Sequence, residues 1–242
     1  MSSIKQTKQL ICDTYKYRIE LHAHTLPTSP CSEVLPEQLV EIYHKKRYDA
    51  LVLTNHFIYE LMQHTSKEAA ISEYMENFKQ TKKAGKKYGM HIFLGAEIRF
   101  TENENDYLIY GVDEGILSKC YDYLTKGVEV FRAEVKLDKS VFIQAHPFRN
   151  RCSFCRPELL DGVEGFNMHP GHNSRVGLAV RSAGVNNLIV TAGSDFHHVN
   201  RGHEAVSALR TSVIPADSFE LAKVLKSGDY AIEIGEKSVV LP

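Results

Sequence analysis

The sequence predicts an α/β protein in which seven strand–helix units form a closed or nearly closed barrel. Short apolar runs alternate with longer amphipathic segments along the whole chain, a pattern typical of βαβ units and a parallel sheet. No low-complexity linker divides the 242 residues, which favours one domain over two. An open doubly wound sheet is the alternative, because strand order cannot be read from one sequence.

Seven apolar runs have the length and composition of strands, at residues 18–24, 50–56, 91–100, 106–112, 141–148, 162–168 and 187–197. Helical patterns are predicted at residues 35–47, 66–89, roughly 114–137, 174–185 and 216–228, and a final short strand at 230–236. We therefore expect a single domain over residues 1–242. Its core would span about 18–210, with a C-terminal helix and short strand at 215–236.

The composition is that of an ordinary soluble globular protein, with 43% hydrophobic and 24% charged residues and a formal net charge of −1. No apolar run approaches the roughly 20 residues that span a bilayer, and the N-terminus lacks the apolar core of a signal peptide. These features predict a cytoplasmic protein that does not enter a membrane. Without a basic field, nucleic acid is only a minority alternative as a partner. Five scattered cysteines do not make a disulfide framework.

Histidines and carboxylates stand at the ends of five predicted strands. Residues i and i+2 of a strand point to the same face, so His22 and His24 should lie side by side. In a barrel of parallel strands the C-terminal ends converge on one face, where active sites are built. The pattern therefore predicts a metal site at that face. Its candidate ligands are His22, His24, His56, Glu97, His146, Asp195 and His197.

Imidazole and carboxylate ligands with no obvious thiolate suit Zn²⁺, Mn²⁺ or Fe²⁺. Seven ligands exceed what one ion takes from protein while leaving room for substrate, so we expect two or three divalent ions with a bridging carboxylate. Paired ions clamp the attacking and leaving oxygens of an in-line displacement and generate hydroxide at neutral pH. This chemistry fits hydrolysis of a phosphoester best, and hydrolysis of an amide or another C–N bond second.

In order, the motifs HAH, TNH, GAE, AHP and GSDFH resemble the PHP (polymerase and histidinol phosphatase) superfamily over roughly residues 19–210. The resemblance implies a distorted (β/α)7 TIM-like barrel. It also implies a phosphoesterase that hydrolyses a small phosphomonoester or nucleotide through a metal-bound hydroxide. Glu97 would bridge to a second ion that His146 binds, and His56 and His197 would hold a third. The ligands of the first ion, and the candidate catalytic residues, would be His22, His24, Glu97 and Asp195.

Three positions depart from the family pattern. Asn55 of TNH replaces the usual Asp, and because an amide still forms hydrogen bonds we expect tuning of the site rather than its loss. Pro30 lies where a ligand of the third ion is often found and cannot ligate, so Glu33 or Cys31 is a candidate substitute. Asp106 lies where many members have a metal-binding His. It is either an oxygen ligand or simply the start of the fourth strand.

Arginines near strand ends are candidates for binding the phosphate of a small phosphorylated substrate, because phosphate favours guanidinium donors. They are Arg99, Arg149 and Arg201. His169 and His172 follow the sixth strand and are candidates for substrate contact, with His172 as a general acid for the leaving oxygen. Alternatively, both histidines cap the following helix. Glu164 and Asn167 are expected to support the site from behind the ligands.

Two alternative functions keep the metal site. A C–N hydrolase of amidohydrolase type is disfavoured, because such enzymes usually need a modified lysine or a comparable bridging group and no strand-end position here is Lys. A non-catalytic metal-binding scaffold would be expected to have lost ligands, whereas six or seven are kept. Cys152 and Cys155 have no second pair that would complete a zinc ribbon, and we interpret them as structural or incidental thiols.

Overall fold

The computed structural model describes residues 3–202, 204–235 and 238–242. The strands are β1 (Tyr17–Ala23), β2 (Ala50–Leu53), β3 (His56–Ile58), β4 (His91–Arg99), β5 (Asp106–Tyr110), β6 (Val141–Gln144), β7 (Gly162–Asn167), β8 (Ile189–Gly193), β9 (Ser207–Thr211), β10 (Ala231–Ile234) and β11 (Ser238–Val240). The helices are α1 (Ile4–Thr14), α2 (Pro36–Lys45), α3 (Tyr59–Met62), α4 (Lys67–Tyr88), α5 (Glu114–Tyr123), α6 (Val128–Glu134), α7 (Val176–Asn186) and α8 (Ser218–Ser227).

The strands form one curved sheet in the order β11-β10-β9-β1-β2-β4-β5-β6-β7-β8, with β3 paired to β4. The curve returns on itself, because the segment after β8 pairs with β1. The N–H of His24 donates to the carbonyl of Phe196 (3.0 Å), and the N–H of Phe196 donates to the carbonyl of His22 (3.2 Å). This mixed α/β architecture is the distorted TIM-like barrel that the sequence predicts.

Strand β5 runs antiparallel to both of its neighbours, β4 and β6, which interrupts the predicted parallel sheet. Residues 100–105 are too few to cross over the sheet, since a parallel connection needs roughly a dozen residues or more, so β5 turns back as a hairpin. The reversal pairs Asp106, the first residue of β5, with Arg99 at the end of β4. It therefore brings Asp106 to the edge of the barrel where the parallel strands end.

Helix α8 closes the opposite end of the barrel. Its Leu221 and Leu225 are fully buried against residues of the barrel strands. Oγ of Ser218 donates to the carbonyl of Leu94 (2.6 Å) and accepts the N–H of Gly111 (2.8 Å), which directly follows β5. Because β5 starts at the histidine edge, its last residue marks the far end. Burial of each leucine contributes about 1.5–3 kcal/mol, so this end anchors the barrel.

Local signals set the limits of the helices. Helix α4 begins after Ser66, whose Oγ accepts the N–H of Ala69 (3.2 Å), and it ends at Gly89 with a φ of 70°. The helix predicted at 114–137 is two helices, α5 and α6. Gly127 separates them with a φ of 87°, a conformation that favours glycine and stops a helix.

Other boundaries also differ from the prediction. The strand predicted at 187–197 ends at Gly193, so Asp195 and His197 lie in the turn that follows β8. Helix α1 was not predicted. The short strands β3, β9 and β11 were not predicted either, because three to five residues with mixed polarity leave little periodic signal. The last residue of the strand predicted at 230–236, Glu236, lies outside the described residues. Within the part of the chain that the structure describes, none of the helices combines the length and apolarity needed to cross a bilayer.

Candidate metal centre and active site

Glu97 of β4 lies at the centre of a cluster formed by the predicted strand-end ligands. Its Oε1 lies 3.3 Å from Nε2 of His22 and 3.1 Å from Nε2 of His146. Its Oε2 lies 3.5 Å from Nε2 of His24 and 2.8 Å from Nδ1 of His56. Each oxygen of one buried carboxylate is thus shared between two imidazoles. This is the arrangement expected of a ligand that bridges ions.

Asp195 is the second carboxylate of the cluster. Its Oδ1 lies 3.5 Å from Nε2 of both His22 and His24 and 3.4 Å from Nδ1 of His197. Its backbone has a φ of 51°, a left-handed conformation that costs a non-glycine residue roughly 1–2 kcal/mol. Through this turn the carboxylate reaches back from β8 to the histidines of β1.

The described residues contain three groups of side chains that could each hold one ion, since the ligand atoms of a group all lie within 4.8 Å of one another. All seven predicted ligands belong to at least one group, and Asp106 joins them. The groups are His22 with His24 and Asp195; Glu97 with Asp106 and His146; and His24 with His56 and His197.

The donor atoms of the cluster fit divalent ions. Nε2 of His22 and Nε2 of His24 have no hydrogen-bond partner among the described residues, and both side chains are fully buried. A buried polar atom without a partner costs on the order of 1–3 kcal/mol. Divalent cations placed between the imidazoles and the carboxylates would give each of these atoms a partner, so the site is suited to binding them.

The charges of the cluster shift its pKa values in opposite directions. Burial raises the pKa of Glu97 and of Asp195, but the neighbouring imidazoles outweigh burial and hold both pKa values well below their usual range. Burial lowers the pKa of His56, yet the Glu97 carboxylate outweighs it and the pKa rises to about 10. The pKa of His24 falls well below its ordinary value, because burial and the charges of His197 and His56 act together. His24 is therefore neutral, the form that coordinates metals.

Glu164 of β7 supports two of the ligands from behind. Nδ1 of His22 donates to its Oε1 (2.9 Å), and the backbone N–H of His146 donates to its Oε2 (3.1 Å). Nδ2 of Asn167 donates to Glu164 (3.0 Å) and to Asp195 (3.3 Å). With Nδ1 engaged, His22 presents Nε2 to Glu97. Glu164 and Asn167 thus lie behind the ligands, as the sequence predicts.

Asn55 supports the imidazoles of β1 and β3 through a serine. Its Oδ1 accepts the N–H of Thr25 (2.7 Å) and the hydroxyl of Ser29 (3.0 Å). Oγ of Ser29 accepts the N–H of His56 (2.9 Å) and lies 3.3 Å from Nδ1 of His24. An amide can therefore support the ligands where an Asp is usual. Sequence reasoning missed Ser29, because a serine in a Pro-containing loop carries no local mark of this role.

Glu20 is a second residue that sequence reasoning missed. Its carboxylate is fully buried and accepts hydrogen bonds from the N–H of His22 (2.9 Å) and the hydroxyl of Tyr43 (3.0 Å). It also accepts the N–H (3.0 Å) and the hydroxyl (2.6 Å) of Ser194. Burial raises its pKa despite these donors. Glu20 thus joins β1 to the turn that carries Asp195. The only sequence signal for this role was the presence of an acidic residue within the apolar run before His22.

The cluster opens into a cavity of about 570 Å³ that all three predicted arginines line. Two of them converge on Asp106: Arg99 donates from Nε (2.7 Å) and from a terminal nitrogen (2.8 Å), and Arg149 donates at 3.3 Å. Arg201 is 58% exposed and pairs with Glu33 (2.9 Å). Asp106 therefore both belongs to a possible ligand group and holds two guanidinium groups beside it.

His169 and His172 also line the cavity, with their rings 4.3 Å apart. Neither is the N-cap of α7, a position that Arg175 occupies. Burial and the charge of Arg149 lower the pKa of His172. A lowered pKa makes an imidazole less able to serve as a general acid at neutral pH.

All five cysteines are free thiols. Sγ of Cys152 donates to the carbonyl of Glu104 (3.4 Å), and the N–H of Cys155 donates to Oε1 of Gln144 (2.9 Å). Cys31 instead lines the cavity. Burial raises its pKa, but hydrogen bonds with His197 and His56 outweigh burial and bring the pKa to about 6.

The comparisons with known proteins agree with this geometry, although no family model matches the chain. Among solved structures, a two-domain protein from Bacteroides vulgatus that contains a predicted PHP-like metal-dependent phosphoesterase superposes with a TM-score of 0.63 at 16% identity. The match covers 91% of this chain and 65% of that one. The chain has a PHP-like fold. The predicted fold is thereby confirmed.

Two further matches extend the comparison of this PHP-like chain. A proposed metal-dependent phosphoesterase from Bifidobacterium adolescentis superposes with a TM-score of 0.51 at 16% identity, over 76% of this chain and 89% of that one. The PolC-type DNA polymerase III of Oceanobacillus iheyensis is 22% identical over 239 residues. That match covers 87% of this chain but only 15% of the polymerase. The chain thus spans a small part of this curated relative.

Proposed function

We propose that this protein is a metal-dependent phosphoesterase that hydrolyses a small phosphomonoester or nucleotide. The observation that carries the proposal is the cluster around Glu97, in which buried imidazoles and carboxylates border a cavity lined by arginines. Several atoms of the cluster have no hydrogen-bond partner among the described residues. A phosphate dianion needs positive charge on several sides, and ions together with guanidinium groups supply it. The PHP-like fold is compatible with this chemistry.

The ligand groups would hold two or three ions. Glu97 would bridge two of them, since its oxygens face different imidazoles. When bound, divalent ions polarise a phosphoryl oxygen and lower the pKa of a coordinated water toward 7. Glu164 and Glu20 would keep the ligands in position, because each accepts hydrogen bonds from the backbone or ring of a ligand.

Arg149 and Arg99 would bind the phosphoryl oxygens of the substrate. Both side chains line the cavity, and Asp106 holds both guanidinium groups next to Glu97 and His146. Without bound ions the carboxylates of the cluster would repel a phosphate. Both substrate binding and turnover should therefore depend on the ions. His169 and His172 border the same cavity, where the leaving group would lie.

The test is phosphate release from a panel of phosphomonoesters, including nucleotides and histidinol phosphate, by Mn²⁺-reconstituted protein with a chelated control. We expect release that the chelator abolishes. The variant His22→Ala should lose the bound ions and should release no phosphate. His64 is an exposed histidine outside the cluster, so His64→Ala should keep the ions and the activity. If protein shown to hold two or more ions releases phosphate from no substrate, the phosphoesterase proposal is wrong. C–N hydrolysis or a non-catalytic scaffold would then take its place.

A further inference from the structure

The ring of His24 lies between a serine hydroxyl and two carboxylates. The imidazole is fully buried, and its Nδ1 lies 3.3 Å from Oγ of Ser29, which is fully buried as well. The other ring nitrogen, Nε2, lies 3.5 Å from an oxygen of Glu97 and 3.5 Å from an oxygen of Asp195. A neutral imidazole carries its proton on one nitrogen only. The direction of the contact with Ser29 therefore decides which nitrogen of His24 can bind an ion.

The side-chain amide of Asn55 has one favourable orientation. Its Oδ1 accepts the backbone N–H of Thr25 (2.7 Å). If the amide were turned over, Nδ2 would face this N–H, and two donors would meet where both residues are fully buried. Oδ1 is therefore the atom of Asn55 that lies 3.0 Å from Oγ of Ser29, and an amide oxygen has no proton to donate.

Asn77 of α4 holds the other side of the Asn55 amide. Nδ2 of Asn55 donates to Oδ1 of Asn77 (2.8 Å), and Nδ2 of Asn77 donates to the backbone carbonyl of Leu26 (2.7 Å). A carbonyl can only accept, so the orientation of Asn77 is fixed as well. Two backbone groups, the carbonyl of Leu26 and the N–H of Thr25, thus set the direction of both amides.

These orientations determine where the hydroxyl proton of Ser29 lies. Two oxygen atoms 3.0 Å apart need a proton between them, and only Ser29 has one, so its hydroxyl donates to Oδ1 of Asn55. Oγ of Ser29 then has only lone pairs left. It accepts the backbone N–H of His56 (2.9 Å), and toward His24 it can act only as an acceptor. A proton on Nδ1 of His24 gives this oxygen a second donor.

We propose that Ser29 and Asn55, anchored by Asn77, fix the tautomer of His24, with the proton on Nδ1 and the lone pair of Nε2 free to bind an ion. Ser29, Asn55 and Asn77 form what we call the serine–amide network. They are positioning residues, because they act through the ring of His24. The inference rests on the metal-binding part of the proposed function.

The network opposes a second tautomer that the carboxylates favour. In the metal-free protein, a proton on Nε2 of His24 would be directed at Glu97 or Asp195, and it would occupy the lone pair that an ion needs. A hydrogen bond at the other ring nitrogen is the usual means of selecting between the two forms. His22 receives this hydrogen bond from a carboxylate, Glu164. The serine–amide network gives His24 the same orientation without a charge.

The first experiment identifies the tautomer directly. Two-bond ¹H–¹⁵N correlation spectra of ¹⁵N-labelled, metal-free full-length protein at pH 8 show which ring nitrogen carries the proton, and His24→Gln assigns the signals. We expect the wild type to carry it on Nδ1. In Ser29→Ala the acceptor is missing, so the proton should move to Nε2, beside the carboxylates. A wild-type proton on Nε2, or on both nitrogens, overturns the proposal.

Ser32→Ala is the matched control for Ser29→Ala. Ser32 lies in the same loop and is buried, but its hydroxyl donates to the backbone carbonyls of His24 and His197, each at 3.2 Å. This variant should keep the proton on Nδ1 of His24. If the proton moves in both serine variants alike, the conformation of the loop selects the tautomer, and the proposal is wrong.

Two substitutions of Asn55 test the direction of the network. Asn55→Asp keeps an oxygen for the hydroxyl of Ser29, so the proton of His24 should stay on Nδ1. Asn55→Leu has a similar size but no acceptor. The hydroxyl is then free to donate to Nδ1 of His24, and the ring proton should move to Nε2. Where Asn55→Leu does not fold, Ser29→Ala decides the question. A folded Asn55→Leu protein with the wild-type tautomer contradicts the proposal.

The second experiment measures Zn²⁺ affinity by competition with a chelator. Ser29→Ala should bind Zn²⁺ roughly tenfold more weakly than the wild type, because the ring of His24 must change its tautomer before Nε2 can bind the ion. Ser32→Ala should bind Zn²⁺ as the wild type does. Equal affinities of Ser29→Ala and the wild type would show that the network does not serve ion binding.

The outcomes separate this inference from the proposed function. A tautomer of His24 that depends on Ser29, without phosphate release from any substrate, supports the network and contradicts the phosphoesterase. Chelator-sensitive phosphate release together with a proton on Nε2 in the metal-free wild type contradicts the network alone. Wild-type protein that binds no ion at all contradicts both.

Discussion

The two ends of the barrel are built on opposite principles. At the end where the parallel strands terminate, buried imidazoles and carboxylates face one another, and four ring nitrogens of the cluster have no hydrogen-bond partner among the described residues. At the other end, α8 packs Leu221 and Leu225 into an apolar cluster, and Ser218 satisfies the exposed backbone groups of β4 and β5. The first end is suited to binding cations, whereas the second is closed by apolar packing.

This difference separates function from stability within one scaffold. The strands are held by apolar contacts at the α8 end and between strands and helices, so the metal end can keep strained and charged groups. Asp195 and His146 both have positive φ values, of 51° and 29°. Buried carboxylates stabilise both turns through backbone N–H groups, Glu20 through Ser194 and Glu164 through His146. Substitutions at the two ends should therefore have different consequences.

The largest effect is expected at the metal end. Glu97→Gln removes the charge that four imidazoles share, so bound ions should be lost and phosphate release should fall to the level of the chelated control. The measurements are metal content by elemental analysis and the release assay. Glu158→Gln, on an exposed glutamate, is the control and should behave as the wild type. Full activity in Glu97→Gln would show that this carboxylate does not bridge ions.

At the α8 end, Leu221→Ala should lower the free energy of unfolding by about 2–5 kcal/mol, because it leaves a cavity among fully buried residues. The folded fraction should keep its ions. Urea unfolding and metal analysis test both statements. Leu178→Ala, on a leucine that is 47% exposed on α7, should change the free energy by no more than about 0.5 kcal/mol. Loss of ions from folded Leu221→Ala protein would mean that the two ends are coupled.

Glu164→Gln should have an intermediate effect. Glu164 belongs to no candidate ion group but orients His22 and the backbone of His146. Removal of its charge should weaken ion affinity by roughly 10- to 100-fold, as for other residues that orient metal ligands. Competition with a chelator of known affinity measures the change. An unchanged affinity would assign Glu164 a purely structural role.

The smallest predicted signal is proton release. Burial lowers the pKa of His56 and of His146. The charge of Glu97 outweighs burial for His56, and hydrogen bonds with Cys152 and Glu97 outweigh it for His146, so both pKa values rise to about 10. Both are therefore protonated at pH 7 before an ion binds. Binding should therefore release protons, including one from each of these two histidines, and apparent ion affinity should rise with pH toward 10.

In the metal-free protein, the stability of the fold should fall with rising pH, whereas ion affinity rises. A histidine whose pKa is raised on folding stabilises the fold below about pH 6.5, and this contribution is lost as the pH rises through about 10. A pH-indicator dye in weak buffer measures the released protons, and thermal unfolding across this range measures the stability. If ion binding releases no protons, the histidines are neutral beforehand and do not contribute in this way.

Much of the site was readable from the sequence because its signal is local. Each ligand follows or ends an apolar run, and strand periodicity places His22 and His24 close together without knowledge of any other residue. Imidazole and carboxylate types indicate the class of metal. The structure brings all seven predicted ligands into one cluster.

The remaining features depend on contacts between residues distant in the chain. Glu20 meets Ser194, Ser29 meets His56, and the reversal of β5 brings Asp106 to Arg149. No periodic pattern encodes such pairs, because each is made by the path of the backbone and not by neighbouring residue types.

By itself, the sequence determined the α/β class, the ligand types and the barrel edge at which they gather, because hydrophobic periodicity and side-chain chemistry are properties of short segments. Only the tertiary structure decided which oxygens and nitrogens face one another, which arginines border the site, and that a sulfur lies beside His56 and His197. Those relations depend on how the strands pair and how the loops after β1 and β8 close over the barrel, and pairing partners are set by packing across the whole chain.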